Sequence, residues 1–379
     1  MPIQFSLKEK PIPFDVASER LVLLGAHEPN FRNRWIDFLD SQPMWENRHH
    51  PAVFEYYVML SNPCHRDLSF IVMSGATPVA VAPLLIENVE GRVQASCVNG
   101  GFLPHPMFHS KLGQKALRTL EAFVFQECVS RLQSVEATRW YVESDILNSG
   151  TDVVEDQMAS RFKALDISIH CHVIDLTDDL WSQMRHSAKS TINKGLRTYE
   201  FVVYDKSNFT FEVGERHRIL HHKCSGRITR PIPSFHKMYS WVGEDIGLMF
   251  EQRYKGDVVQ MIFVALGKGS AASSSAADDP DFSCPVPLTH SMNYFIYTEA
   301  QKRGIKYYRV GETSFRDHLF LMRSTKERTI SDFKRGFGSQ TLPWKRWIWF
   351  SSPAEELLYL KSQLAKYEQH LALQSEVGA

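Results

Sequence analysis

The predicted secondary-structure elements repeat once along this 379-residue chain, and such a repeat restricts the folds open to it. Hydrophobic periodicity predicts strand, turn, strand, loop, helix and strand between residues 67 and 142, and the same order between residues 247 and 310. In the second copy the turn falls at residues 255–257. A stretch rich in glycine, serine and alanine, 267–281, is predicted to be a mobile loop. We therefore expect a duplicated α/β domain.

Helical segments flank the two copies and suggest where the domains begin and end. Helices are predicted before each copy, one before the first and three before the second, near residues 31–39, 178–194, 209–222 and 233–244. A capping box with proline at the first helical position, Ser352 to Glu355, begins a C-terminal helix. The leucines of this helix are compatible with core packing or with dimerisation. The predicted N-terminal domain, second domain and terminal helix are residues 1–160, 161–351 and 352–379.

Charge is unevenly distributed, although the chain carries 43 basic and 43 acidic residues. Residues 181–237 have a net charge of +7 and residues 302–346 a net charge of +8, whereas the remaining segments are acidic. A zero total argues against a protein that binds polyanions along its whole length. The two basic segments instead predict one localised site in the second half that binds an anionic ligand.

The sequence argues against a membrane or secreted protein, against three common enzyme classes and against a metal site. The chain has no run of about 18 apolar residues, and its first 13 residues contain no apolar stretch of signal-peptide length, so we expect a cytoplasmic protein without a membrane span. Motifs for nucleotide hydrolysis, dinucleotide binding and serine hydrolysis are absent. The histidine pairs at 49–50 and 221–222 and the run 170–172 lack a third ligand at a supportive spacing, so we expect no metal.

Two segments of the first basic block contain candidate ligand-binding residues. Residues 220–231 carry two arginines three apart around a threonine, an arrangement that can clamp a carboxylate or a phosphate. The candidates there are His222, Arg227, Thr229 and Arg230. Upstream, Arg185 and Lys189 flank the apolar stripe of a predicted helix. A solvated loop and a solvated helix face would have the same composition.

The second basic block contains a different pattern, at residues 330–338. Phe333 and Phe337 alternate there with Lys334 and with two glycines, which predicts a backbone bend with an anchored cation. Many such turns are purely structural. Glu312 directly follows a predicted strand, at the end of the sheet where ligands of α/β proteins usually bind.

Together these segments resemble the FemAB-type acyltransferases, a group of the GNAT superfamily that often contains two GNAT domains in tandem. The resemblance rests on Ile-Asn-Lys-Gly at 192–195, Gly-Glu at 311–312 and Phe-Lys-x-x-Phe-Gly at 333–338, and it covers about residues 181–350. It implies an α/β (α+β) fold of two tandem GNAT-like domains, each a mixed, mostly antiparallel sheet flanked by helices. The N-terminal domain would be the degenerate copy.

The same resemblance implies a function in cell-envelope biogenesis. It implies transfer of an acyl or aminoacyl group to an amine or hydroxyl by direct attack, with Lys334 stabilising an oxyanion or a phosphate. Glu312 or His290 would then be the general base or orient the substrate. Gly-Arg-x-Thr-Arg at 226–230 is similar to a subgroup of envelope-polysaccharide proteins. The implied acceptor is an amino sugar or another saccharide precursor.

One departure from the wider superfamily leaves the donor open. The pyrophosphate-binding loop of acetyl-CoA enzymes contains glycines, whereas residues 283–290, before the predicted helix, contain none. This departure argues against acetyl-CoA itself. The resemblance implies an acyl-CoA or an aminoacyl-tRNA as donor, with tRNA a possible partner of the basic blocks. Two alternatives remain: a catalytically inactive pair that binds an envelope precursor or a partner protein, and a transferase that uses a sugar nucleotide.

Overall fold

Three β-sheets flanked by helices form the protein, in a computed structural model that describes residues 21–60, 64–147, 156–283, 285–313 and 317–377. The first 13 residues, and residues 148–155 just before the expected domain limit at 160, lie outside these ranges.

The first sheet is antiparallel and has four strands. In spatial order they are β1 (Leu21–Gly25), β3 (Phe70–Ser74), β4 (Thr77–Ala82) and β8 (Met107–Phe108). The second sheet has seven strands. In spatial order they are β10 (Leu165–Asp166), β18 (Arg346–Phe350), β9 (Arg139–Glu143), β6 (Arg92–Ala95), β5 (Leu85–Val89) and β2 (Cys64–Asp67), with β7 (Leu103–Pro104) also beside β9.

The third sheet also has seven strands and belongs to the second half of the chain. In spatial order they are β12 (Glu200–Tyr204), β13 (Gly247–Tyr254), β14 (Asp257–Leu266), β15 (Ser270–Asp278), β16 (Tyr307–Thr313), β11 (Ile169–Asp175) and β17 (Gln340–Trp344).

The α-helices pack on the faces of these sheets. In chain order they are α1 (Phe31–Ser41), α2 (Pro51–Leu60), α3 (Gln114–Ser134), α4 (Leu180–Gln183), α5 (His186–Thr198), α6 (Phe211–Ser225), α7 (Ile232–Gly243), α8 (Leu288–Lys302), α9 (Thr325–Arg335) and α10 (Pro353–Val377). A 3-10 turn at Asn47–His49 and a π-helical turn at Asp156–Arg161 complete the helical segments.

The two halves share one arrangement, in which a helix connects two parallel neighbouring strands. Helix α3 connects β6 to β9 in the second sheet, and α8 connects β15 to β16 in the third. Nearly all other strand pairs are antiparallel. The expected fold class, mixed and mostly antiparallel sheets flanked by helices, is confirmed. The hairpin expected at 255–257 is also present, since Lys255 and Gly256 have φ values of 52° and 89° between β13 and β14.

The expectation of a mobile loop at 267–281 is wrong, because most of this stretch is strand β15. Its backbone is paired with β14 on one side and with the start of β16 on the other. Helix α6 packs over β15, and the small side chains of Ala277 and Ser275 are buried. The small side chains of alanine and serine allow close packing here. Composition alone does not distinguish such a closely packed strand from a loop.

The last strand of the chain belongs to a sheet of the first half. β18 lies between β9 and β10, and its register places Trp347 opposite Val142. The domain limits expected at 160 and 351 stay a prediction, but the strand 346–350 crosses from the second copy to the first. Trp347 and Ile348 are fully buried there.

The two faces of the third sheet are covered by different helices. Met249 of β13 packs with Phe235 of α7 on one face, and the next residue, Phe250, packs with Ile296 of α8 on the other. Helices α6 and α7 therefore cover one face, and α5 and α8 the opposite one. This division decides which of the candidate residues can share a site.

Candidate functional site

A cavity of about 270 Å³ lies between the end of β16 and helix α9. The parallel ladder that precedes it is short, since β15 and β16 pair only from Ser270–Tyr307 to Ala272–Arg309. The residues that line the cavity are Glu312, Thr313, Arg323, Glu327, Arg328, Ile330, Ser331 and Lys334. Three of them are cations and two are carboxylates, so the cavity has a net positive character.

Lys334 reaches the cavity wall because Gly311 has no side chain. The Lys334 Nζ lies 2.9 Å from where a Cβ on Gly311 would be, and it donates to the backbone oxygen of Glu312 at 3.4 Å. Gly311 has φ = 119°, in the region that favours glycine. Burial lowers the pKa of Lys334. The ammonium is thus partly desolvated, which strengthens its effect on a nearby negative charge.

Glu312 is held by two arginines rather than presented as a free carboxylate. Arg346 donates to its Oε1 at 2.6 Å, and Arg323 pairs with its Oε2. Burial raises the pKa of Glu312, but the charges and hydrogen bonds of Arg346 and Arg323 outweigh that effect and hold the pKa below its ordinary value. A carboxylate in this setting is a weak proton acceptor and a strong anchor for cations.

An aromatic group adjoins Lys334 on the α8 side of the sheet. The ring of His290 lies 4.8 Å from that of Phe333 and 5.8 Å from that of Phe337. Phe337 is completely buried. Burial lowers the pKa of His290, so its imidazole is neutral at pH 7. Lys334 and Glu312 thus line the cavity, whereas His290 contacts Phe333 and Phe337 without lining it.

A buried histidine in this region, His172 of β11, was not expected to be part of a site. Its Nε2 lies 3.4 Å from the Ser331 hydroxyl and its Nδ1 lies 3.3 Å from that of Thr341. Ser331 in turn contacts the Thr313 hydroxyl, and both hydroxyls line the cavity. Burial, together with the charges of Lys334 and Arg335, lowers the pKa of His172 to about 4. The run 170–172 was interpreted from the sequence only as possible metal ligands. No local pattern indicates the true partners of His172, since they lie about 160 residues further along the chain.

The arginine-threonine segment lies elsewhere, near the helices that cover the other face of the third sheet. The Arg230 guanidinium lies 3.9 Å from the ring centre of Phe235 and pairs with the Tyr56 hydroxyl. His222 packs against the same Phe235 ring, at 5.4 Å. Arg227 and Thr229 are exposed after the helix end at Gly226, which has φ = 63°. Arg230 therefore connects α7 to α2, and the segment is not part of the Lys334 cavity.

Neither Arg185 nor Lys189 lines the cavity. The expected helix 178–194 is divided between α4 and α5, and the Arg185 amide donates to the carbonyl of Gly336 at 3.1 Å across this break. The Lys189 ammonium lies 5.8 Å from the ring centre of Trp181. The Arg185 backbone thus fixes the turn that follows Lys334, while its side chain is exposed.

Two absences apply to the part of the chain that the structure describes. No group of three or more His, Cys, Asp or Glu side chains there is arranged to hold a metal ion. None of the helices within the described ranges combines the length and apolar character needed to cross a bilayer.

No protein-family model and no curated protein matches the chain by sequence. Among solved structures, FemX superposes with a TM-score of 0.66 at 12% identity, over 90% of this chain and 100% of that one. L-PGS from Bacillus licheniformis superposes with a TM-score of 0.57 at 11% identity, over 88% of this chain and 94% of that one. The C-terminal domain of a putative lysylphosphatidylglycerol synthetase from Agrobacterium fabrum gives 0.57 at 12% identity, over 88% and 96%.

These similarities extend over nearly the whole chain, including the first half, where the sequence matched the expected group only in its order of elements. They are likenesses of fold, at identities too low to transfer a substrate. The resemblance inferred from the sequence is confirmed at that level: this chain shares its overall fold with FemX.

Proposed function

We propose that this protein is an acyl or aminoacyl transferase that modifies an amino sugar or another saccharide precursor of the cell envelope. The observation that carries the proposal is the partly desolvated ammonium of Lys334 at the wall of a cavity that also presents hydroxyl groups. The fold shared with FemX supports it, as does the aminoacyl-transfer chemistry that the FemAB-type resemblance implies.

In the proposed reaction the acceptor amine or hydroxyl attacks the carbonyl carbon of the donor ester or thioester. The carbonyl oxygen becomes an oxyanion, and Lys334 stabilises it; a fixed donor of this kind contributes about 3 kcal/mol. The intermediate then expels the thiolate or the ribose oxygen of the donor. Arg323 lies on the same wall, where Glu312 and Glu327 compensate its charge.

We assign the role of general base, which takes the proton from the attacking amine or hydroxyl, to the neutral imidazole of His290 rather than to Glu312. The two arginines on Glu312 stabilise its ionised form and so oppose protonation. We therefore assign Glu312 the role of positioning Arg323 and Arg346 beside the cavity. His290 contacts Phe333, the neighbour of Lys334 along the chain.

The volume of the cavity also bears on the donor. At about 270 Å³ it holds a transferred group rather than a whole coenzyme or tRNA, so the rest of either donor would lie outside it. The exposed side chain of Arg185, whose amide donates to Gly336 in the turn that follows Lys334, is available to hold donor phosphates. Acyl-CoA and aminoacyl-tRNA both satisfy this description.

The test is transfer of a labelled group by Lys334→Ala, with Lys326→Ala as a matched control. Lys326 is on the same helix, exposed and outside the cavity. Labelled acyl-CoA and aminoacyl-tRNA donors are offered with amino-sugar precursors. We expect Lys334→Ala to reduce transfer about 100-fold, the equivalent of about 3 kcal/mol, and Lys326→Ala to leave it unchanged. Equal activity of wild type and Lys334→Ala, at equal melting temperatures, would remove Lys334 from the reaction.

A separate result would favour the non-catalytic alternative. If no donor supports transfer by the wild type, while a saccharide precursor raises its melting temperature, the protein is a binding module rather than a transferase.

A further inference from the structure

The C-terminal helix α10 is attached to the protein along one side. Its Tyr359 is buried, with its ring centre 5.5 Å from that of Phe350 in β18. Further along, His370 and Gln374 both contact the Asp317 carboxylate, at 2.8 and 2.9 Å. These contacts hold the helix in place in the single chain.

An adjacent side of α10 carries a row of apolar residues that the chain itself covers only in part. Leu357, Leu364 and Leu371 are seven residues apart and are 52%, 49% and 46% exposed. Leu360 and Tyr367, the residues at the intervening positions, are half-buried. Single exposed leucines are common on protein surfaces, but a row on one preformed helix is a typical interaction surface. We call these five residues the heptad stripe.

We propose that the heptad stripe pairs with that of a second copy of this chain, in a parallel two-stranded coiled coil. The spacing is that of a and d positions, with Leu357, Leu364 and Leu371 at a and the other two at d. A helix with this repeat buries its stripe against an identical helix related by a two-fold axis.

The charges beside the stripe favour this partner. With Leu357 at position a, Glu356 falls at g and Lys361 at the following e, the positions that face one another between parallel helices. Symmetry makes the Glu356–Lys361 pair occur twice. Within the described residues neither side chain forms an ion pair with its own chain; Lys361 is exposed and Glu356 is half-buried.

The length of the contact is limited at its C-terminal end. A straight helix drifts about 20° per heptad relative to a seven-residue repeat, and Gln374, the next d position, is already turned to Asp317 of its own chain. The contact therefore extends from Leu357 to Leu371. Isolated helices of this length are marginally stable, but this helix is already formed and anchored, which lowers the cost of pairing.

The test measures oligomeric state by sedimentation equilibrium of the full chain over a range of concentrations. We expect a concentration-dependent dimer for the wild type, and a dissociation constant at least about tenfold higher for Leu364→Lys, in the middle of the stripe. Leu373→Lys is the matched control, because Leu373 is 63% exposed and lies two positions past Leu371, on the opposite side of the helix. Melting temperatures establish that both variants fold. A monomeric wild type at all concentrations, or equal effects of the two substitutions, would overturn the proposal.

Charge reversal tests the parallel arrangement. Lys361→Glu places like charges together and should weaken the dimer, and the double variant Glu356→Lys with Lys361→Glu should restore it. Restoration by Glu368→Lys instead would mean that the helices are antiparallel, and the parallel pairing would be wrong.

Discussion

At the scale of single residues, the position of Lys334 depends on what is missing from its neighbour. The Lys334 ammonium occupies the space beside Gly311 that any other residue would fill with a Cβ. The sequence pattern around residue 334 predicted an anchored cation, and the structure places one at a cavity. The pattern did not indicate Gly311, because the two residues meet only after β16 and α9 have packed together.

Gly311→Ala should therefore reduce transfer by displacing Lys334. The positive φ of Gly311 also strains alanine, at a cost of about 1–3 kcal/mol. Gly304→Ala separates the two effects, since Gly304 has φ = 77° but no atom near its would-be Cβ. We expect both variants to lose stability in thermal unfolding, and only Gly311→Ala to lose transfer activity beyond what its stability explains. Equal activities would mean that Lys334 has other room to move.

At the scale of secondary-structure elements, periodicity predicted β13 and β14, which bury large side chains, and it missed β15, which is built from small ones. It also gave no prediction for α2 or β18, although both bury aromatic side chains. β13 and β14 are largely buried on both faces and contain runs of large apolar residues, so the sequence predicted both strands. β15 has only Ala, Ser and Asp, and its strand conformation comes from backbone pairing with its neighbours. The same reasoning explains the site, because His172, Ser331 and Thr313 meet only through sheet register and helix docking.

If β15 is a packed strand, its tolerance to substitution should alternate. Ala277 is 1% exposed, so Ala277→Leu overpacks the core and should cost about 1–3 kcal/mol of unfolding free energy. Ala276 points to solvent, and Ala276→Val should be neutral or slightly stabilising because valine favours strands. Urea denaturation measures both. A loop would accept both changes equally.

At the scale of the whole molecule, buried uncharged histidines occur in both halves. Burial lowers the pKa of His49 and His217 to about 3 and that of His105 to about 4. All three side chains are at most 2% exposed. In the unfolded chain these groups take up protons near their ordinary value of 6.5, whereas in the folded protein they stay neutral.

The folded protein should therefore lose stability as the pH falls below 6.5 towards 4. In that interval the unfolded state binds more protons, and each such histidine contributes a slope of about 1.4 kcal/mol per pH unit. Urea denaturation between pH 7.5 and 5 measures the slope. His217→Gln should flatten it, while the exposed His186→Gln should not. A stability that stays constant down to pH 5 would contradict the assignment of these groups as neutral.

The position of β18 has a consequence for how this protein is made. A nascent chain leaves the ribosome N-terminus first. Strand β9 therefore emerges about 200 residues before β18, which pairs with one of its edges. Until residues 346–350 appear, that edge and the ring of Trp140 lack their cover from Trp347 and Trp349. The second sheet therefore stays incomplete until residues 346–350 have been translated. A nascent chain stalled before residue 346 should accordingly be a better substrate for chaperones than one released only a few residues later.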